Sequence, residues 1–205
     1  MNRAALLFAA LAIFFFSAGT ACADVVVSVG YYNNLSGNPG GADPQGVLTS
    51  ANTTFIGHGL ATSTSYDSGL IGFLNTGSSA VTIASVTATG PGGPFSLWNA
   101  SLPFVLQPGK TLVLGETIFA NFDTSDNGLT PKFIITGTVN GAAFSFTDST
   151  GALFGNNAVN SPETTPFTTI GVAAIPEPAS ITIFGLMAAG GAFYGWRRRK
   201  LAVAA

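Results

Sequence analysis

Short runs of β-forming residues, each closed by turn residues, constrain the fold of this chain most strongly. Runs such as DVVVSVG, LIGFLNT and KFIITGTV alternate with turn segments such as NTGSS, PGGP and QPGK. No segment between the two ends keeps an apolar period of 3.6 residues, so parallel βαβ units are not expected. Many short strands with regular turns are typical of an antiparallel sandwich or barrel.

The predicted strands fill a single domain at residues 24–151. The loop YYNNLSGNPGGADPQG follows the first strand, because its Asn, Gly and Pro content opposes regular structure. Residues 152–175 are expected to form a final edge strand and a spacer. The strands predicted within the domain are DVVVSVG, VLTSANTTFIG, LIGFLNT, AVTIASVTA, PFVL, TLVLGETIFANF, KFIITGTV and AAFSFTD.

The N-terminus has the features of a secretory signal peptide at residues 1–23. Arg3 precedes a 13-residue apolar run, and Ala21 and Ala23 form an A-x-A cleavage site that makes Asp24 the first mature residue. The run is shorter than a membrane-spanning helix requires, although a first transmembrane helix is the competing interpretation. The only cysteine, Cys22, would leave with the peptide, and a lipoprotein in which Cys22 is acylated is the other alternative.

The C-terminus combines a short apolar segment with a basic cluster. Residues 181–196 would cover about 24 Å as a helix, slightly less than the hydrocarbon core of a membrane. The cluster Arg197, Arg198, Arg199 and Lys200 would keep residues 201–205 in the cytoplasm and place the body outside. We expect a transient inner-membrane anchor.

The order of Pro176, Glu177 and Pro178, an apolar helix and an Arg-rich end resembles the PEP-CTERM sorting signal of Gram-negative bacteria, here at residues 176–200. The resemblance implies recognition by an exosortase, a membrane-embedded cysteine protease that cuts near the triplet. It also implies export to the cell surface or exopolysaccharide matrix. The alternative is an ordinary tail-anchored protein in which the triplet only stops a helix.

The body has a second resemblance. FLNTGSSAVTIASVTATGPGGPFSL, LPFVLQPGKTLVL and ITGTVNG are similar to the Ig-like sandwich domains of the ASPM/SPD-2/Hydin and choice-of-anchor types. The matching turns are Asn75 to Gly77, Pro108 with Gly109, and Asn140 with Gly141. The usual Phe-x-Pro after the middle strand is missing. The resemblance implies an all-β, antiparallel Ig-like β-sandwich, a fold that says little about function.

Charge excludes nucleic acid as a partner of the body. Residues 24–175 carry eight acidic side chains against Lys110 and Lys132, a formal charge of −6. Binding to phosphates needs clustered Lys and Arg.

No catalytic residue or metal site is predicted, and no cofactor. His58 is the sole histidine, no G-x-S-x-G motif occurs, and the mature chain would lack a thiol. Asp123 to Gly128 begin like a calcium loop, but Ile134 stands where a bidentate carboxylate is required. We interpret this segment as a surface turn.

Paired carboxylates leave a hydrolase open as an alternative. The carboxylates are Asp67, Glu116, Asp123, Asp126 and Asp148. Glu116 shares the parity of the apolar Leu112 and Leu114, and we expect a bulge at Gly115 to turn it outward.

Tyr31, Tyr32 and Trp98 are the candidates for stacking on sugar rings, with core packing as the alternative. The expected function is that of a non-enzymatic, exported envelope or exopolysaccharide-matrix protein with a structural or adhesive role. Its partners are the export machinery and an exosortase, and a polysaccharide if the aromatic rings bind sugar. A carbohydrate-binding module of the matrix is the first alternative and the hydrolase the second.

A hairpin with a defined register is predicted around Asn140 and Gly141, the preferred pair for a two-residue type I′ turn. Its apolar side chains fall on one face, Phe144 covers Gly137, and Asp148 turns to solvent at the strand end. The predicted pairs are Val139 with Ala142, Gly137 with Phe144, Ile135 with Phe146 and Phe133 with Asp148.

Overall fold

The structure is a computed structural model of the 205-residue chain. The chain divides into two compact units, Cys22–Ile175 and the flanking segments Met1–Ala21 with Pro176–Ala205, and all the strands belong to the first. The structure describes residues 23–33, 46–59, 67–90, 93–117, 132–153, 165–175 and 190–191.

Nine strands and one short 3₁₀ helix (Leu97–Ser101) occur in the described ranges, which confirms the all-β class. The strands are β1 (Ala23–Asn33), β2 (Thr53–Gly59), β3 (Asp67–Asn75), β4 (Val81–Thr89), β5 (Phe104–Leu106), β6 (Thr111–Thr117), β7 (Phe133–Val139), β8 (Ala142–Asp148) and β9 (Thr165–Ile175).

Two sheets form a β-sandwich. The larger has the order β2-β6-β3-β1-β9 and the smaller the order β5-β4-β7-β8. The expectation of purely antiparallel pairing is wrong at one place, because β2 and β6 pair in parallel. β6 inserts between β2 and β3 and runs antiparallel to β3. Alternation predicts which side chains face the core, but it does not predict which strands become neighbours.

The main core lies between the sheets and follows the period of two along the strands, except in β4, where a register shift separates Ile83 from Val86. In β1, Val25, Val27 and Val29 are fully buried, and they contribute to the same cluster as Ile83 of β4 and Ile135 of β7. Burial of an aliphatic side chain contributes about 1.5–3 kcal/mol, so this cluster is the main source of stability.

A second, smaller cluster contains Tyr32, Leu48, Leu70 and Val113. Phe167 of β9 packs against it, with its ring centroid 5.3 Å from that of Tyr32. The alternation along β1 sends Tyr32 to the face opposite Val29 and Tyr31, so this end of the larger sheet is apolar on both faces.

Two strand boundaries differ from the predictions. β1 continues through Tyr31 and Tyr32, which the sequence pattern placed in a loop, because both rings are buried on opposite faces of the strand. The run VLTSANTTFIG begins as a turn, and β2 starts only at Thr53.

The β7–β8 hairpin has the predicted register, pair by pair from Val139–Ala142 to Phe133–Asp148. Asn140 and Gly141 have φ angles of 49° and 79°, as a type I′ turn requires. The Phe144 ring covers Gly137, since a Cβ there would lie 2.7 Å from it. Asp148 does not turn to solvent; it is fully buried.

Candidate functional site

The two ends of the body lie on neighbouring strands. In the register of β1 with β9, Ala23 pairs with Ile175 and Asp24 pairs with Ala174. The predicted signal-peptide cleavage bond, between Ala23 and Asp24, therefore lies beside the last residue before the Pro-Glu-Pro triplet. Pairing extends to Ile175, so no spacer separates β9 from the triplet, and the strand predicted at 152–175 is an integral part of the sandwich.

Asp24 is held to the larger sheet by its main chain. Its carbonyl oxygen accepts hydrogen bonds from the backbone N–H and the hydroxyl of Thr76, both at 2.9 Å. A mature chain beginning at Asp24 would keep these bonds, because they do not involve the residues before it.

Most of the predicted addressing residues lie outside the described ranges. These are Ala21, Pro176, Glu177, Pro178, Arg197, Arg198, Arg199 and Lys200. Of the apolar segment 181–196, the structure describes Gly190 and Gly191, which are helical and exposed. No helix within the described ranges has the length and apolar character that a membrane crossing requires.

Trp98 lies in the 3₁₀ helix and has 1% of its surface exposed. Its indole N–H donates to the Val86 carbonyl oxygen at 2.9 Å, and Asn99 Oδ1 accepts the Val86 N–H at 2.9 Å. β5 pairs with only Val81–Ile83 of β4, and the 3₁₀ helix takes its place further along that edge. Trp98 is therefore a core residue, and its indole N–H bonds the main chain of β4 beyond the point where β5 ends.

Tyr31 and Tyr32 have no exposed surface. Stacking on a sugar requires an open ring face, and Tyr31, Tyr32 and Trp98 do not offer one in this structure. The three rings are packed inside the body: Trp98 lies in the main core, and Tyr31 and Tyr32 are buried on opposite faces of β1.

Glu116 is buried at the end of β6, with 1% of its surface exposed. The bulge expected at Gly115 does not form, since Gly115 pairs in regular register with Leu70. A Cβ on Gly115 would lie 2.6 Å from the Leu70 side chain, so the glycine permits close packing. Glu116 Oε1 accepts a short hydrogen bond from the Leu97 N–H and so fixes the start of the 3₁₀ helix.

Ser68 of β3 forms a hydrogen bond with Glu116 of the neighbouring strand β6, at the same end of the larger sheet. Its hydroxyl donates to the Glu116 carbonyl oxygen at 2.6 Å, and both residues are buried. Glu116 thus binds neighbouring segments through both its side chain and its main chain.

Asp148 anchors the turn after β8. Its Oδ1 accepts from the Thr150 N–H and hydroxyl at 3.1 and 2.8 Å, and its Oδ2 accepts from the Leu153 N–H at 2.9 Å. These bonds compensate the desolvation of the carboxylate and keep Leu153 in the core, which explains why Asp148 points inward.

Asn75 is a buried polar residue whose role the sequence pattern did not reveal. Its Nδ2 donates to the carbonyl oxygens of Ser79 and Leu106 at 2.8 and 3.0 Å, and its Oδ1 accepts from the Gly77 N–H at 3.0 Å. The bond to Leu106 joins β3 of the larger sheet to β5 of the smaller one. The Asn-x-Gly turn was visible in the sequence, but the contact with β5 is not local.

The other candidates for chemistry lie outside what the structure describes. Asp123 and Asp126 fall between described ranges, and the side chains of His58 and Asp67 are not described. Within the described residues, no group of three or more His, Cys, Asp or Glu side chains is placed to hold a metal ion.

Comparison with known proteins identifies the C-terminal segment. A family model described as a PEP-CTERM protein-sorting motif matches residues 174–200. No curated protein and no solved structure matches the chain. The Ig-like resemblance of the body stays a prediction. The matched motif supports an exported protein that an exosortase sorts to the cell surface through a membrane-anchored C-terminal precursor.

Proposed function

We propose that the protein is a non-enzymatic structural component of the cell envelope or exopolysaccharide matrix, exported by a signal peptide and released from its C-terminal anchor by an exosortase. The observation that carries this proposal is the sorting motif at residues 174–200, whose first two residues are the last two residues of β9. The precursor has its C-terminus in the cytoplasm, in keeping with the basic cluster at 197–200.

The body supports a structural role. Glu116 and Asp148, two of the carboxylates considered for hydrolysis, are buried and accept hydrogen bonds from the main chain of Leu97 and Leu153. A carboxylate used in this way stabilises the fold. The main and the smaller hydrophobic cluster make the body a compact unit suited to display outside the cell.

The position of the two processing sites also supports the proposal. Because Ala23 pairs with Ile175, cuts after Ala23 and near Pro176 would leave a body whose two ends are adjacent strand ends. Such a body keeps every strand of both sheets. The cut after Ala23 shortens β1 by that one residue and leaves Asp24 paired with Ala174.

The test compares the full chain with a variant in which Pro176, Glu177 and Pro178 are replaced by Ala, in a Gram-negative host that has an exosortase and one that lacks it. We expect the wild-type chain in the surface or matrix fraction of the first host only. The variant should remain in the membrane fraction of both. Wild-type protein that stays in the membrane of the exosortase host, or a variant released as efficiently as wild type, would contradict the proposal.

A further inference from the structure

β8 is an edge strand of the smaller sheet. Among the described strands it pairs with β7 alone. In a two-residue hairpin the pairs Val139–Ala142 and Gly137–Phe144 are hydrogen-bonded, so alternate residues of β8 direct their N–H and C=O groups away from β7. The outward residues are Ala143, Ser145 and Thr147, and all three are exposed.

Within the residues that the structure describes, the β8 strand itself lacks the sequence features that usually prevent strand pairing. Lysine, proline and bulges protect most edge strands, and β8 contains none of them. The one charged residue, Asp148, is buried and bonded within its own turn. An open groove of about 190 Å³ runs beside the edge, lined by Phe146 of β8 and by Val172 of β9, which is 49% exposed.

The edge is complementary to itself. Antiparallel pairing of two β8 strands about Ser145 would oppose Ser145 to Ser145 and Ala143 to Thr147, in three pairs that exchange two hydrogen bonds each. It would also place Phe144 of one copy opposite Phe146 of the other. These rings are already stacked within one copy, with centroids 5.6 Å apart.

Charge favours the same partner. A two-fold axis brings the same strand of two identical copies together. Charged side chains on that strand would therefore face side chains of the same charge in the other copy and repel them. The exposed face of β8 carries only Ala, Ser and Thr, and pairing about Ser145 brings no like charges together. The neutral outward residues and the two phenylalanines of β8 are therefore compatible with pairing to a second copy of the same strand.

We propose that two copies of this chain associate through their β8 edges, antiparallel about Ser145, to form a homodimer with a continuous eight-stranded sheet. The partner strand also covers part of the groove beside Phe146 and Val172. The proposal does not depend on export or sorting, because it concerns residues of the sandwich alone.

The test uses disulfide cross-linking of the full chain with Cys22 replaced by Ala, which removes the only native thiol. In hydrogen-bonded antiparallel pairs the Cα atoms are about 5.5 Å apart, within the range that a disulfide spans. Under mild oxidation, Ser145→Cys should shift to twice the monomer mass on a non-reducing gel. A mixture of Ala143→Cys and Thr147→Cys chains should give the same shift.

Two variants serve as matched controls. Thr147→Cys alone places its thiols about four residues apart across the axis, and Ala84→Cys lies at an exposed position of β4, a strand flanked by β5 and β7. Both should run at the monomer mass on the non-reducing gel, because neither brings two thiols together. A Ser145→Cys chain that runs at the monomer mass after oxidation, equal cross-linking of all variants, or cross-linking of Ser145→Cys only to a different protein would overturn the proposal.

A second measurement avoids covalent capture. Ser145→Lys and Ser145→Glu chains should each be monomeric in detergent solution, because like charges meet at the axis, and an equimolar mixture should recover the dimer mass. Failure of the mixture to recover it, when the wild-type chain is dimeric, would show that Ser145 does not face its own copy.

Discussion

Asn75 and Glu116 are buried polar side chains whose hydrogen bonds join separate parts of the chain. Asn75 links the turn after β3 to the Leu106 carbonyl of β5, and Glu116 fixes the Leu97 N–H at the start of the 3₁₀ helix. A buried donor or acceptor that loses its partner destabilises a protein by about 1–3 kcal/mol.

Replacement of Asn75 by Ala should lower the free energy of unfolding by about 2–3 kcal/mol, because the side chain makes three hydrogen bonds to the main chain. Asn75→Asp should be at least as damaging, since a carboxylate has no N–H to give to two carbonyl oxygens. Urea unfolding gives these values. The control is Ser78→Ala, at an exposed position of the same turn, and equal stability of Asn75→Ala and this control would refute the assigned role.

Replacement of Glu116 by Ala should destabilise the protein by about 1–3 kcal/mol, because it removes the acceptor for Leu97. Glu116→Gln keeps an acceptor oxygen, so its loss should be smaller. Thermal or urea unfolding would measure both, with Thr54→Ala, at an exposed position of β2, as control. Greater loss in the Gln variant than in the Ala variant would contradict the structural role of Glu116.

Neither the direction of Glu116 nor the partners of these side chains were predicted from the sequence, since the bulge expected at Gly115 would have turned Glu116 outward. Strict alternation along β6 points Glu116 inward, and the structure keeps that parity because Gly115 packs in register against Leu70. Leu97, which bonds Glu116, lies 19 positions away in a separate segment, and no local pattern reveals it. The same is true of the contact between Asn75 and β5.

The β7–β8 hairpin shows what local chemistry predicts at the scale of an element. Its turn residues, its alternation and the small size of Gly137 all specify one register, and the structure has that register. Strand order and the parallel pairing of β2 with β6 depend on contacts distant in sequence, so the same kind of pattern does not predict them.

Two glycines of the hairpin separate conformational strain from steric conflict. Gly141→Ala should destabilise by about 1 kcal/mol, because its φ of 79° is unfavourable for a residue with a Cβ although nothing lies within 4 Å. Gly137→Ala should destabilise by about 3 kcal/mol or more, since its Cβ would lie 2.2 Å from the Ser85 carbonyl oxygen. Urea unfolding of both variants should give this order of destabilisation. The reverse order would show that Gly137 of β7 does not pack closely against the Ser85 carbonyl oxygen of β4.

For the whole molecule, the matched sorting motif occupies residues 174–200 and follows the strands of the sandwich in the sequence. The Pro-Glu-Pro triplet, apolar segment and basic cluster were recognisable from sequence because a sorting enzyme reads them as a local pattern. The adjacency of the two predicted processing sites depends on the pairing of β1 with β9, which joins residues 152 positions apart and is not visible in any local pattern.

If the protein is exported and then cut near the triplet, the protein recovered outside the cell has a defined mass, which intact-mass measurement determines. The mass should correspond to a chain that begins at Asp24 and ends close to Pro176, without residues 181–200. Extracellular protein whose mass still includes Arg197, Arg198, Arg199 and Lys200 would contradict this processing.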